Sequence, residues 1–407
     1  MQKTLPSDSS AILLKQEQLA ELFEENGQHR LANDLYVKIL KTKQEVLGPN
    51  HVDVAWTCLD ILWNMVSWGK GKQMLEGHQK FHNVIMNSYG PRTKIGGRST
   101  RLLAWIYYKL HDYQQAEKLE RQRLQIALND FGMADQVTIY AMADLGMNLY
   151  RLNFRRADSI DLLASGENLV RYSIHINRTI LGSTIEEEFS LCITLMDILI
   201  SKKEYKESLA MLRSCLPQCL EIFGLENGWT FTFSLQLAKV FRNLENLVAA
   251  EKVIKLLLLI YSASQFYIAE GFLIGILEEF MWVQGKLEQW YEASVRAEEA
   301  LRANYRLSGA DHIFTAWAED DLNYYYSKQG LYQDKKEFKE RLQWILKQEG
   351  FTTIHLEKGR DQPGVLEREI QELTEWFEAW LYGTPETQKK RKTEETMARP
   401  DPFLTDG

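Results

Sequence analysis

A glycine that closes an apolar run returns at a fixed interval along this chain, and that interval constrains the fold more than any other feature. Leu47-Gly48, Tyr89-Gly90 and Phe131-Gly132 are spaced 42 residues apart. Leu181-Gly182 follows after 50, Phe223-Gly224 after another 42, and Ser308-Gly309 after 85, two periods with one glycine lost near Phe266. Gly350 closes the series 41 residues later. The longer interval requires about eight inserted residues, and the stretch from Arg156 to Gly166 is where they are expected, as a longer turn or a helical extension. Periods of this size mark arrays whose units bury their apolar faces on one another instead of in one central core.

A second mark sits inside each unit. A glycine or polar residue is followed two positions later by a large residue and five later by a small one: Gly27, His29, Ala32; His111, Tyr113, Ala116; Lys203, Tyr205, Ser208. Gly69, Gly285 and Gly330 are assigned to the same turn in the second, seventh and eighth units. Leu19, Ala20 and Phe23 before the mark, and Leu35, Tyr36, Ile39 and Leu40 after it, recur at helical spacing and form one apolar face each. The unit is therefore helix, tight turn, helix, longer connector. Ala32 and its equivalents stand where the two helices cross.

Composition supports an all-helical array. Of eight prolines, only Pro49, Pro91, Pro217 and Pro363 fall between Ser7 and Gly383, which leaves long stretches fit for helix. Pro217 is expected to kink or shorten its helix. The formal net charge of −8 offers no basic stripe, which argues against nucleic acid as partner. Four cysteines, Cys58, Cys192, Cys215 and Cys219, are too few for a disulfide scaffold and suit a reduced compartment. Residues 1–10 are polar, without the apolar segment of a secretory leader. The greasiest stretch, Val253 to Leu277, is broken by Lys255 and Glu270, so membrane insertion is not expected. The expected location is the cytoplasm, and Lys389, Lys390, Arg391 and Lys392 form a candidate nuclear import signal.

The connector Leu47-Gly48-Pro49-Asn50-His51-Val52-Asp53-Val54-Ala55 resembles that of the tetratricopeptide repeats of kinesin light chains. Ser308-Gly309-Ala310-Asp311-His312-Ile313-Phe314-Thr315-Ala316 is a looser copy, with the histidine three and the alanine seven residues after the glycine. The resemblance covers Ile12 to Gly350. It does not extend to a motor subunit, whose repeats follow a coiled-coil segment that residues 1–11 do not contain. It implies an all-α fold, a right-handed superhelical α-solenoid of about eight helix-turn-helix repeats with a C-terminal capping helix. Residues 1–10 are expected to be a disordered N-terminus and 11–350 the repeat array. Residues 351–383 follow as a loop and an amphipathic helix that covers the open end of the stack. Residues 384–407 read as a disordered polar tail.

Arrays of this family bind ligands on the concave face formed by the first helix of each unit. Anchoring the register on Ala32 places Glu17, Glu21 and Glu24 on that face in the first unit, and Trp56, Leu59 and Trp63 in the second. Arg98, Arg101, Trp105, Tyr108 and Lys109 follow in the third, and Tyr140, Tyr150 and Arg151 in the fourth. Trp282 and Trp317 come from the seventh and eighth. Trp, Tyr and Arg dominate binding hot spots, and arginine can clamp a carboxylate with two hydrogen bonds. The implied function is an interaction scaffold or adaptor whose groove holds a peptide or protein, with Arg98, Arg101 and Arg151 on its acidic or C-terminal groups. The alternative is a small-molecule-binding or catalytic protein using the same aromatic cavity. For each tryptophan the competing role is core packing, since a register error of one residue turns a side chain by about 100°.

The sequence carries no catalytic signature, and neither cofactor nor metal is expected. His78 and His82 have the i, i+4 spacing of a metal pair, but Gln79 stands where a metalloprotease has its glutamate and no third ligand is evident. Cys215 and Cys219 read as small apolar residues of a second helix. Gly69-Lys70-Gly71-Lys72 lacks the spacing of a phosphate loop and reads as a helix turn.

Overall fold

The computed structural model describes residues 7–25, 28–68, 70–155, 160–181, 185–263, 270–310, 313–347 and 365–382. The described residues form helices and no strand. In chain order the eight units are α1 (Ser7–Glu25) and α2 (His29–Leu47), α3 (Val52–Ser67) and α4 (Gly71–Ser88), α5 (Lys94–Lys109) and α6 (Tyr113–Phe131), α7 (Gln136–Arg155) and α8 (Ile160–Ile176), α9 (Ile185–Ser201) and α10 (Tyr205–Phe223), α11 (Gly228–Asn243) and α12 (Leu247–Ala263), α13 (Glu270–Lys286) and α14 (Trp290–Ser308), α15 (Ile313–Lys328) and α16 (Lys335–Lys347). A π-helical segment, Asn177–Leu181, extends α8, and α17 (Val365–Tyr382) follows the last unit. The expected import signal, Lys389 to Lys392, and the lost glycine near Phe266 lie outside the described residues.

The chain divides into two compact units, residues 1–204 with 303–317, and residues 205–302 with 318–407. In the first, α2 packs on α3, α4 on α5 and α6 on α7, while the first helices α3 and α5 also touch. In the second, α10 packs on α11, α12 on α13, and α11 on α13.

One backbone motif closes the first helix of nearly every repeat. The amide of Asp112 donates to Tyr107 O at 2.9 Å, Glu204 to Leu199 O at 2.8 Å, and Asn246 to Phe241 O at 2.9 Å. Gln28 and Phe23, Lys70 and Met65, Gln289 and Gln284, and Leu331 and Tyr326 repeat the bond. This six-to-one closure demands a left-handed residue just before the donor. His111, Lys203, Glu245 and Glu288 take that conformation at φ 59°, 63°, 57° and 59°, and Gly330 at 72°. Glu288, not Gly285, is thus the turn residue of the seventh repeat. Gly285 lies within α13, where a Cβ would come within 2.8 Å of the Tyr325 ring. It is a close-approach glycine.

The connectors between repeats are closed differently. Gly132 ends α6 at φ 81° and ψ 178°, a region that only glycine enters freely. The hydroxyls of Thr138, Thr230 and Thr315 donate back to the carbonyls of Gly132, Gly224 and Gly309, each at 2.7 Å. Glycine and a threonine six residues later therefore form one device.

Ala32, Ala116, Ser208, Ala250 and Ala293 are all fully buried. The fourth repeat has glycines there instead. A Cβ on Gly146 would lie 2.9 Å from Gly166 O, and one on Gly166 would lie 2.8 Å from Gly146 O. Gly166 is 50 residues after Ala116, while Gly146 is 42 after Ala104, so the inserted residues fall between the two glycines. α7 has 20 residues against 16 in α5 and ends at Arg155, before the stretch expected to carry the insertion; residues 156–159 of that stretch lie outside the described residues, and Gly166 itself belongs to the regular repeat.

Two further expectations need correction. Pro217 does not shorten its helix, because α10 has 19 residues, as do α2 and α6, held by the buried Cys215, Leu216 and Cys219. The terminal helix forms as expected, but its principal partners are α10 and α12, where chain order pointed to the last repeat. Phe377 and Leu381 are buried there, Trp380 meets Phe241 edge-on at 5.2 Å, and Lys252 sits 5.1 Å over Trp376. Trp376, Phe377, Trp380 and Leu381 of α17 are thus satisfied laterally.

Ala116→Leu should overpack the crossing of α5 and α6 and lower stability by about 1–3 kcal/mol. Glu245→Gly should raise it by about 0.5–1 kcal/mol, because glycine relieves a left-handed backbone. Urea unfolding followed by circular dichroism measures both.

Candidate functional site

The first helices of repeats two to four bring together most of the aromatic and arginine residues expected at the site. Trp63 near the end of α3 and Trp105 one period later in α5 stack with ring centroids 6.0 Å apart and planes 12° from parallel. Tyr108 continues the stack from Trp105 at 5.1 Å and 6°. The guanidinium groups of Arg98 and Arg101 lie 5.0 and 5.5 Å from the Trp63 ring, and the Lys109 ammonium lies 4.6 Å over Trp105. Arg151 Nε donates to the Tyr108 hydroxyl at 3.0 Å. The result is a cation-flanked ladder across α3, α5 and α7. Its rings are half-buried, and the Trp105 indole Nε1 has no hydrogen-bond partner.

The other expected residues have distinct surroundings. Tyr140 donates to the Glu187 carboxylate and lies 5.3 Å from the Arg101 guanidinium. Tyr150 is buried, its hydroxyl accepting from Ser201 at 3.1 Å. Trp56 stands beside Arg98 in the wall of a cavity. Trp317, 49% exposed, packs on His111 at 5.3 Å and joins the ladder through Tyr113, whose ring meets Tyr108 edge-on at 5.4 Å. Trp282 belongs to the second unit, 46% exposed, with the Arg242 guanidinium 5.8 Å from its ring. Leu59, expected on the same face, is fully buried and belongs to the core with Leu102 and Ile106.

The sequence reading missed the carboxylates that hold the arginines. Asp144 on α7 accepts from Arg101 at 2.8 Å and from Arg123 on α6 at 2.5 Å, and Arg123 also donates to Glu120 at 2.6 Å. Asp60 on α3 faces Arg98 at 3.6 Å. Asp60 and Arg98, like Arg101 and Asp144, are opposite charges about one period apart on successive first helices, and that spacing is the signal that would have found them.

Burial sets the ionisation of these groups, and neighbouring charge corrects it. Burial pushes the Glu120 carboxyl up to about 7 against the pull of Arg123. Burial would also raise Asp144, but Arg101 and Arg123 outweigh it and hold that carboxyl below its usual range. On α1, burial and the nearby Asp60 lift Glu24 to about 7, and burial lifts Asp60 to about 6. Acid accumulates on the face of the first repeat and cationic charge on that of the third and fourth.

The histidine pair is structural. His78 is fully buried with Nε2 3.2 Å from Ser99 O, and His82 Nδ1 lies 2.9 Å from the Ser99 hydroxyl. Among the described residues no group of three or more His, Cys, Asp or Glu is placed to hold a metal, and no described helix is long and apolar enough to cross a membrane.

The turn-closing motif, the small-residue crossings and the 42-residue spacing define an all-α array of TPR-like helical hairpins. Two solved structures of TPR-like repeats from a protein described as a kinesin light chain of Podosopora anserina align with the chain. One gives a TM-score of 0.43 at 13% identity, over 53% of this chain and 99% of the other. A single-substitution variant of those repeats gives 0.39 at 13% identity, over 62% and 96%. No family model and no curated protein matches the sequence.

Glu24→Gln tests the electrostatics of the face. A carboxyl held near 7 in the folded chain but near its ordinary value when unfolded keeps its proton only when folded. Its contribution to stability is present below about pH 4.5 and lost as pH rises through about 7. Thermal melts should show the variant more stable than the parent at pH 8, with the gain gone at pH 4.5.

Proposed function

We propose that the first-helix face of repeats two to four binds a segment of a protein or peptide partner, and that the chain acts as an interaction scaffold. The Trp63–Trp105–Tyr108 ladder carries this reading. Stacked aromatic rings offer rigid contact area at small entropic cost, and this stack is left half-exposed. A partner would lay an apolar or aromatic side chain along Trp63 and Trp105. Its acidic or C-terminal group would approach Arg98 and Arg151. Arg101 is less suited to that clamp because Asp144 already takes two of its donors, at 2.8 and 3.5 Å. Arg101 instead fixes the neighbouring rings.

Trp63→Ala combined with Trp105→Ala should leave helicity intact and weaken a partner recovered with the parent chain by about 30-fold or more, the scale of losing one hot-spot residue. Tyr291→Ala, at a 69% exposed ring that is no part of the ladder, should leave that partner bound. Affinity purification with all three chains, followed by titration of the recovered partner, reads the outcome. Loss of helicity in the double variant would return both tryptophans to the core.

A further inference from the structure

A cavity of about 290 Å³ opens beside the ladder, between the connector into α5, the last turns of α6 and the first turns of α7. Its charge is one-sided. Arg92, Lys94, Arg98, Arg101 and Arg123 line it, and among the described residues its wall contains no carboxylate. The remaining wall is apolar and aromatic, with Trp56, Ile126, Phe131, Val137 and Tyr140 prominent.

The five cations are not equally satisfied. Arg101 and Arg123 share Asp144, and Arg123 holds Glu120 as well. Arg92, 73% exposed, reaches Asp130 only at 3.6 Å. Arg98 reaches Asp60 only at 3.6 Å, and its Nε is buried without a hydrogen-bond partner. Burial lowers its pKa, the direction expected of a cation short of counter-charge. Lys94, the first residue of α5, adds a further ammonium at the site where that helix exposes its positive end. Gly97 supplies bare backbone to the wall, with no atom within 4 Å of where a Cβ would stand.

A guanidinium one-third exposed to the cavity side, with its ion pair to Asp60 no closer than 3.6 Å and flanked by the exposed Arg92 and Lys94, calls for an oxyanion. Aromatic and aliphatic walls in so small a volume call for a flat apolar body attached to it. We propose that this cavity binds an aryl phosphate, its oxyanion held by Arg98 with Lys94 and Arg92, and its ring set among Trp56, Phe131 and Tyr140. A free phosphate ester and a phosphotyrosine side chain offer the same chemistry. The cavity shares Arg98 with the proposed partner face, but Trp63 and Trp105 are absent from its wall, so loss of aryl phosphate binding in Gly97→Leu is distinguishable from loss of partner binding in the tryptophan double variant.

Isothermal titration of the full chain with phenyl phosphate tests it. Saturable one-site binding is expected, with phenol and inorganic phosphate each binding much more weakly. Arg98→Gln should weaken phenyl phosphate by about tenfold or more, as expected for a lost charge-assisted hydrogen bond. Gly97→Leu keeps every charge and fills the cavity, so it should abolish binding even if Arg98→Gln proves poorly folded. An alanine peptide carrying one phosphotyrosine separates the sources. Binding comparable to phenyl phosphate admits a protein side chain, and binding of phenyl phosphate alone assigns the site to a free ester. No saturable binding of phenyl phosphate, equal binding of phenol or of inorganic phosphate, or parental affinity in folded Gly97→Leu would overturn the assignment.

Discussion

The structure depends on the close approach of two helices within each repeat. In five of the eight repeats the crossing point of the second helix is occupied by Ala32, Ala116, Gly166, Ala250 or Ala293, and all five are buried. None carries a side chain larger than a methyl group, so the backbones come close and the larger apolar residues on either side interdigitate. Where the fourth repeat has glycine on both helices, each backbone carbonyl occupies the space that a Cβ on the other would need. The same approach sets the turn. A chain that reverses over so few residues closes with a six-to-one hydrogen bond and a left-handed residue, and it does so whether that residue is Gly330 or the less suited Lys203, Glu245 and Glu288.

With the crossing fixed, the face of the first helices follows. Residues one period apart stand side by side, which is why Trp63 meets Trp105 and why Arg101 meets Asp144 across successive repeats. The polar contacts do more than neutralise charge. Asp144 joins α5, α6 and α7 through Arg101 and Arg123, and Arg123 also donates to Tyr140 O at 3.2 Å. A buried network of this kind stiffens the helices that bear the ladder. It leaves Arg98 to Asp60 alone, at 3.6 Å.

Much of this was legible in the chain. The glycine spacing and the small residue after each turn located the repeats, and the register taken from Ala32 placed Trp63, Trp105 and Arg98 on one face. The failures have physical causes. Glycine suits a left-handed position, which points to Gly285 as the turn, yet Glu288 takes that strain and Gly285 serves the approach of Tyr325. Leu59 was placed on the open face because helical spacing resolves a face only coarsely, and it points to the core. The lateral docking of α17 depends on Phe241, Arg213 and Lys252, whose proximity arises only after α10, α11 and α12 have packed. Pairings such as Tyr140 with Glu187 span an insertion and have no fixed spacing to reveal them.

The register sets adjacent residues of α5 in opposite environments, Ala104 in the core and Trp105 on the ladder. Thiol labelling of Ala104→Cys and Trp105→Cys under native conditions, with mass spectrometry resolving the labelled peptide, tests it most directly. The register predicts fast modification at 105 and, at 104, modification only as fast as the protein opens. Equal protection at the two positions, or fast labelling at 104 with protection at 105, would contradict it and return the aromatic ladder to the core.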